Sequence, residues 1–247
     1  MCGLTAIFSY ENNAALVDEA ELLRMREAMI ARGPDGAGSW ISSDRRVGMA
    51  HRRLAIIDIG ISGAQPMALR DDAGGLLLQI AYNGEIYNFK QLRAELISQG
   101  SIFTTNSDTE VLLRLYARYG IDMVRRLRGM FAFVIWDEAK KGMLLARDPY
   151  GIKPLYYNDE GGTLRVASQV KALLAGEAVS TAPNPAGHIG FFTLGYVPEP
   201  HTMYEKIQSL PAGTSLWLDR DGKRNQGTYF NFQFEITELE NITLKAS

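Results

Sequence analysis

Cysteine is almost absent. The 247-residue chain holds one, Cys2, so no internal disulfide can form, and the composition suits a reducing compartment. Histidine is nearly as scarce, with only His51, His188 and His201. One thiol and three scattered imidazoles lack the ligand spacing of a structural zinc site, and no metal centre is expected. Neither sign of charge dominates: 26 Lys and Arg against 28 Asp and Glu leave a net charge of −2. That balance gives no reason to expect nucleic acid or an anionic membrane as partner. The densest basic patch, Arg125, Arg126 and Arg128, reads as a solvated helix end. The longest apolar run, Met130 to Trp136, is far too short to cross a bilayer. No basic segment precedes the first apolar stretch and Glu11 follows it, so a secretory signal is not expected and the cytoplasm is the expected location. Phosphate-binding loops of the Gly-x-x-x-x-Gly-Lys-[Ser/Thr] and Gly-x-Gly-x-x-Gly types are missing, as is a Gly-x-Ser-x-Gly elbow.

What is present is an ordinary globular composition, 46% apolar and 22% charged, in a length that suits one large domain or two small ones. Short apolar runs bounded by Gly, Asp and Asn predict strands at Leu4–Ser9, Gly38–Ile41, Gly48–Ala50, Leu76–Tyr82, Met130–Trp136, Met143–Arg147, Leu164–Ser168 and Ser215–Leu218. Several are nearly continuous in apolar content, which fits strands buried on both faces. Met130–Trp136 and Met143–Arg147 flank a charged, Gly-containing turn and predict a hairpin. Asp219-Arg220-Asp221-Gly222 predicts a second hairpin turn. Helical spacing predicts helices over Val17–Ala31, over Asn88–Ser98 with Asn88 as cap, and over Ser107–Tyr119 opened by a Ser107…Glu110 capping box. Helices standing between groups of strands, rather than alternating with them, predict an α+β layered domain.

The lone cysteine stands in Met1-Cys2-Gly3. Removal of Met1 would put a thiol and an α-amine on one residue. Such an amine has a pKa of about 7.7–8.0 and can serve as general base for the thiol without a histidine. Further blocks follow in order: Arg32-Gly33-Pro34-Asp35-Gly36, His51-Arg52-Arg53-Leu54-Ala55-Ile56-Ile57-Asp58, Gln65-Pro66-Met67 and Tyr82-Asn83-Gly84-Glu85-Ile86-Tyr87-Asn88. Then come Ser107-Asp108-Thr109-Glu110-Val111, Arg128-Gly129-Met130-Phe131-Ala132-Phe133 and the run from Arg147-Asp148-Pro149-Tyr150-Gly151-Ile152-Lys153-Pro154 to Tyr157.

In this order the blocks resemble the glutaminase domain of class II glutamine amidotransferases. More narrowly, they resemble the N-terminal half of glutamine-hydrolysing asparagine synthetases, over residues 2 to about 230. The resemblance implies a four-layer αββα N-terminal-nucleophile hydrolase sandwich of two antiparallel sheets. It also implies roles. Cys2 attacks the side-chain amide of glutamine to give a γ-glutamyl thioester and ammonia. Asn83, through its amide, and Gly84, through its backbone N–H, hold the oxyanion. Arg53 clamps the substrate carboxylate, with Arg52 beside it expected at the surface. Backbone groups around Leu54 and Ile56 line the pocket, and Asp108, helped by Glu85, takes the substrate amine. Asp108 is also suited to a helix N-terminus. Arg32–Asp35 is expected to be a structural turn near the nucleophile, and Arg147-Asp148 and Gly151–Pro154 framework.

Two departures qualify the resemblance. Ser168-Gln169-Val170-Lys171-Ala172 stands where the family carries Ser-Glu-x-Lys-Ala, so a structural or interdomain ion pair of that glutamate is not expected, while the thiol chemistry is unaffected. The family's ATP-dependent synthetase domain, with its Ser-Gly-Gly-x-Asp-Ser loop, has no counterpart here. The chain therefore needs no cofactor of its own, and ATP and Mg²⁺ are expected only with a missing or partner synthetase. Residues 231–247 are expected to be a linker or tail. The segment Gly195-Tyr196-Val197-Pro198-Glu199-Pro200 to Pro211-Ala212-Gly213 resembles the asparagine-synthetase branch, not the hexosamine or purine branches. Aspartate is the default acceptor. A sugar or peptide acceptor, a γ-glutamyl transferase, a non-catalytic interaction module and a homo-oligomer all stay open.

Overall fold

The structure is a computed structural model and describes residues 1–55, 60 and 63–231. In chain order the strands are β1 (Gly3–Ser9), β2 (Gly36–Ile41), β3 (Val47–Arg53), β4 (Met67–Arg70), β5 (Leu76–Ile86), β6 (Gly129–Asp137), β7 (Gly142–Arg147), β8 (Tyr156–Glu160), β9 (Thr163–Ala167), β10 (Gln208–Ser209), β11 (Thr214–Asp219) and β12 (Arg224–Thr228). The helices are α1 (Glu19–Glu27), α2 (Phe89–Ser98), α3 (Asp108–Tyr119), α4 (Val170–Ala175) and α5 (Pro185–Leu194). Among the described residues the strands form two six-stranded sheets, ordered β10-β8-β9-β1-β3-β2 and β12-β11-β7-β6-β5-β4. The pairings within them are antiparallel.

Strand periodicity explains the layering. Alternate side chains point to opposite faces. On β6, Ala132, Val134 and Trp136 join Leu4, Ala6 and Phe8 of β1 in a core between the sheets. Phe131, Phe133 and Ile135 point the other way, onto Val111, Leu112, Leu115 and Tyr116 of α3 and Leu92 and Leu96 of α2. On the outer face of the first sheet, Ile7 and Ala50 meet Leu22, Met25 and Met29 beside Leu173 of α4. The order is helices, sheet, sheet, helices: the αββα sandwich. The run Met130–Trp136 is apolar throughout because both of its faces are buried.

The predicted strands and both hairpins are present. The helices differ in detail. The first is shorter than its apolar pattern: Asp18 caps it by accepting from Ala20 and Glu21 N–H, and beyond Ala28 the chain winds into tighter turns. Asn88 stands at the N-cap of α2, but its side chain makes no capping bond; its amide bridges Arg126 O and Arg128 N–H instead. Ser107 does cap α3, but Glu110 turns to the N–H groups of Thr104 and Thr105, so the capping box is not closed. Arg52 is not at the surface: it is buried, with Nη2 3.2 Å from Glu27 of α1. No helix among the described residues is long and apolar enough to cross a membrane.

Candidate active site

The two sheets each send one chemical group into the same cleft. Cys2 lies two residues before Leu4, and Asn83 two residues after Ala81; Leu4 and Ala81 both face the core between the sheets. By the two-residue period, the thiol and the amide therefore approach from facing sheets at one end of the sandwich. They line one cleft with Arg53, Leu54, Gln65, Tyr82, Gly84, Glu85, Asp108 and Lys153. Every site residue expected from the sequence is gathered there except Ile56, which lies outside the described residues. Met1 also lines the cleft.

The sulfur is held. Leu54 N–H donates to Cys2 Sγ at 3.3 Å, and Arg32 Nε donates to Cys2 O at 2.9 Å. Burial pushes the Cys2 thiol up; the Leu54 N–H, the terminal amine, Arg53 and Arg32 pull against it. The Arg32–Asp35 turn is indeed a brace: Asp35 accepts from Ala55 N–H at 2.9 Å. Gly33 packs so closely that a Cβ there would lie 2.3 Å from the Arg52 carbonyl carbon. Only glycine lets this turn touch the strand that leads to Leu54.

Asn83 is 1% exposed, and among the described residues its Nδ2 has no hydrogen-bond partner. Buried amides are rarely left this way. Asn83-Gly84 sits inside β5, opposite Ala132 and Phe131 of β6, and not in a turn. A Cβ on Gly84 would lie 2.3 Å from Met130 O, so this position needs glycine for close approach.

Asp108 opens α3 and faces the same cleft. Its Oδ2 accepts from Tyr82 Oη at 2.8 Å and Ile86 N–H at 3.2 Å. Burial raises its carboxyl above the ordinary range, with those donors opposing. Gln65 accepts from Tyr82 N–H at 2.7 Å and donates to Thr109 Oγ1 at 3.3 Å, tying β5 to α3. Arg53 donates to Gly60 O at 2.8 Å.

Four contributors were not singled out from the sequence. Tyr82 and Gln65 position Asp108 and β5. His51, on the inner face of β3, donates Nε2–H to Tyr82 O at 2.9 Å and so joins the two sheets beside Asn83. Burial holds it neutral, with its pKa lowered to about 4. Lys153 belongs to a segment expected to be framework, yet the residue lines the cleft. The alternation Met49, His51, Arg53 against Gly48, Ala50, Arg52 would have assigned His51 inward and Arg52 toward α1. The framework reading does hold for Arg147, which donates to Lys153 O, Gly151 O and Leu210 O. It holds equally for Asp148, which accepts four backbone N–H groups. Gln169, at the departure from the family pattern, has a buried Oε1 without a partner among the described residues and does not line the cleft. Among the described residues no group of His, Cys, Asp and Glu is placed to hold a metal ion.

The chain is similar to known proteins in both sequence and fold. Residues 1–230 match the family described as the glutamine amidotransferase domain. The chain is 36% identical over 245 residues to the glutamine-hydrolyzing asparagine synthetase 1 of Bacillus subtilis (strain 168), covering 99% of this chain and 38% of that protein. It is 39% identical over 183 residues to the amidase chry2 of Gibberella zeae, covering 71% of this chain and 26% of that protein. The solved structure of a glutamine phosphoribosylpyrophosphate amidotransferase from B. subtilis superposes with a TM-score of 0.66 at 24% identity, over 92% of this chain and 49% of that one. At that identity the likeness speaks for the fold.

Proposed function

The chain belongs to the glutamine amidotransferase domain family, and from that premise we propose that it hydrolyses the side-chain amide of glutamine at Cys2 and delivers the ammonia to an acceptor. The observation that carries this reading is the buried Asn83 Nδ2, without a partner among the described residues, on the sheet facing Cys2. A donor left unsatisfied at rest is one that a developing oxyanion can claim.

In this reading Met1 is removed, which frees the α-amine and unblocks the cleft that Met1 lines. The amine takes the thiol proton. The sulfur attacks the amide carbon of glutamine, a C–S bond forms, and the carbonyl oxygen becomes an oxyanion held by Asn83 Nδ2–H and the Gly84 N–H. Collapse breaks the C–N bond, and the amine returns its proton to the departing ammonia. Water then attacks the γ-glutamyl thioester; glutamate leaves and the thiol is restored. Arg53 takes the substrate carboxylate, Asp108 and Glu85 its ammonium, and the backbone at Leu54 and Ile56 the remaining contacts.

We assign residues 2–230 to this glutaminase unit and 231–247 to a linker. The acceptor we propose is aspartate, in asparagine synthesis, with an ATP-dependent synthetase domain or subunit that carries the ATP and Mg²⁺. The setting is cytoplasmic. The likeness to an amidase favours a second reading, the same glutaminase serving another acceptor. The test is glutamate release from glutamine by the processed protein, with Cys2→Ala as control. Loss of release with an unchanged circular dichroism spectrum is expected, and persistent release would refute the mechanism. Adding a synthetase with aspartate and ATP then identifies the acceptor by whether asparagine appears.

A further inference from the structure

Side chains close the edge of β5 that its neighbour β4 leaves open. In an antiparallel strand the N–H and C=O of one residue point to the same neighbour, and successive residues alternate. The pairing of β4 with β5 ends at Met67 opposite Ile80. Beyond it, Tyr82 gives its N–H to Gln65 Oε1 at 2.7 Å and Ile86 gives its N–H to Asp108 Oδ2 at 3.2 Å. His51 Nε2–H reaches Tyr82 O at 2.9 Å. By the same alternation the Gly84 N–H, between Tyr82 and Ile86, points out of the β5–β6 ladder on the side where Gln65 and Asp108 line the cleft. Phe131, opposite Gly84, agrees: its N–H turns away from β5 to Asp148 Oδ2 at 3.2 Å.

His51 comes to this edge from the other sheet. It is 1% exposed, and among the described residues its Nδ1 is buried without a partner. A leucine would fill similar space without leaving a buried nitrogen bare, so the imidazole is best accounted for by the one bond it makes. The far end of that link is fixed as well. His51 stands opposite Leu4 in the β1–β3 ladder, and Leu54, just past the end of β3, donates its N–H to Cys2 Sγ at 3.3 Å. One stretch of chain thus holds the sulfur and, through one imidazole, the carbonyl that precedes Asn83. We propose that His51 is a positioning residue for glutamine hydrolysis, whose bond to Tyr82 O fixes the oxyanion donors Asn83 and Gly84 at their working distance from the Cys2 sulfur. This rests on the reading of Cys2 as nucleophile. His51 does not line the cleft; it acts through Tyr82.

The experiment measures glutamate release against glutamine concentration in the processed, full-length protein, for the parent, His51→Leu and His51→Gln. His51→Leu keeps the bulk and loses the donor. Its kcat is expected to fall about 10- to 100-fold with KM within about twofold, the scale of a misplacement of about 1 Å at the reacting groups. His51→Gln, whose amide nitrogen reaches about as far as Nε2, is expected to keep kcat within about threefold of the parent. Alkylation of Cys2 by iodoacetamide develops no oxyanion, so its rate should be the same in all three proteins. A merely structural histidine would disturb that rate and KM together with kcat. In Asn83→Ala, adding His51→Leu should cost less than it does alone, because one of the two donors it aligns is already gone. An unchanged kcat in His51→Leu, no rescue by His51→Gln, or the full loss again in the Asn83→Ala background overturns the proposal. Should His51→Leu not fold, His51→Asn, whose amide stops short of Tyr82 O, takes its place with the same outcomes. Cys2→Ala separates the two readings. If it is inactive while His51→Leu keeps kcat, only the role of His51 falls. If Cys2→Ala still releases glutamate, the glutaminase reading falls.

Discussion

Replacing Asn83 with alanine should separate chemistry from stability. The side chain is 1% exposed, with Nδ2 unpaired. An unsatisfied buried polar group costs a fold about 1–3 kcal/mol, so its deletion relieves that term while the small cavity left behind adds one of similar size. The two offset, and the unfolding free energy should change by no more than about 1 kcal/mol. The reaction has no such compensation. Loss of one oxyanion donor lowers kcat about 100- to 1,000-fold, or roughly 2.7–4 kcal/mol. Because that bond is made only in the transition state, kcat should fall with KM nearly unchanged. Asn83→Asp, which keeps the size but opposes the oxyanion with a carboxylate, should lose at least as much. Glutamate release under saturating and limiting glutamine, alongside urea unfolding, reads both quantities. A loss of activity below tenfold, a change confined to KM, or a destabilisation that parallels the lost activity would refute the assignment of Asn83.

Three further outcomes follow from the geometry. Gly84→Ala places a Cβ 2.3 Å from Met130 O and 2.7 Å from Phe131 Cα; backbone cannot yield cheaply, so a destabilisation of about 1–3 kcal/mol is expected in denaturant unfolding. Tyr82→Phe removes the 2.8 Å hydrogen bond to Asp108; KM for glutamine should rise several-fold with little change in kcat, and an equal fall in kcat would contradict the role given to Asp108. His51 is held neutral with a pKa of about 4 against about 6.5 unfolded. The unfolded state therefore binds more protons between those values, so the contribution is complete above pH 6.5 and is lost as pH falls toward 4. The loss approaches about 3 kcal/mol, and unfolding midpoints from pH 7 to 4.5 should fall less steeply in His51→Gln.

The layered fold was legible where burial is two-sided. Met130–Trp136 reads as a strand because both faces carry apolar side chains. The elements that escaped are those without such a signature. β8 is Tyr-Tyr-Asn-Asp-Glu and β10 has only two residues, while β12, polar and exposed throughout, is signalled only by the hairpin turn before it. The short α4 and the glycine-interrupted α5 also lack a periodic apolar face of useful length. In the site, Cys2, Arg53, Asn83, Gly84 and Asp108 could be named because each stands in a motif whose residue type suits a reaction role. Lys153 and His51 stand in motifs too, but their meaning depends on burial and on which sheet lies opposite. A linear pattern does not carry that information.

The pairing of β1 also orders events during synthesis. Gly3–Ser9 lies between β3 and β9, bonded on one side to Val47–Arg53 and on the other to Thr163–Ala167. At about 5–20 residues per second, the second neighbour emerges from the ribosome roughly ten to thirty seconds after Cys2. During that interval the strand has at most one partner, and the first residue is open to an aminopeptidase. In the proposed reading, in which Met1 is removed, trimming can precede assembly: the nascent chain can shed Met1 while the sheet around Cys2 is still incomplete. The strand that follows Cys2 gains its second neighbour only when most of the polypeptide has been made.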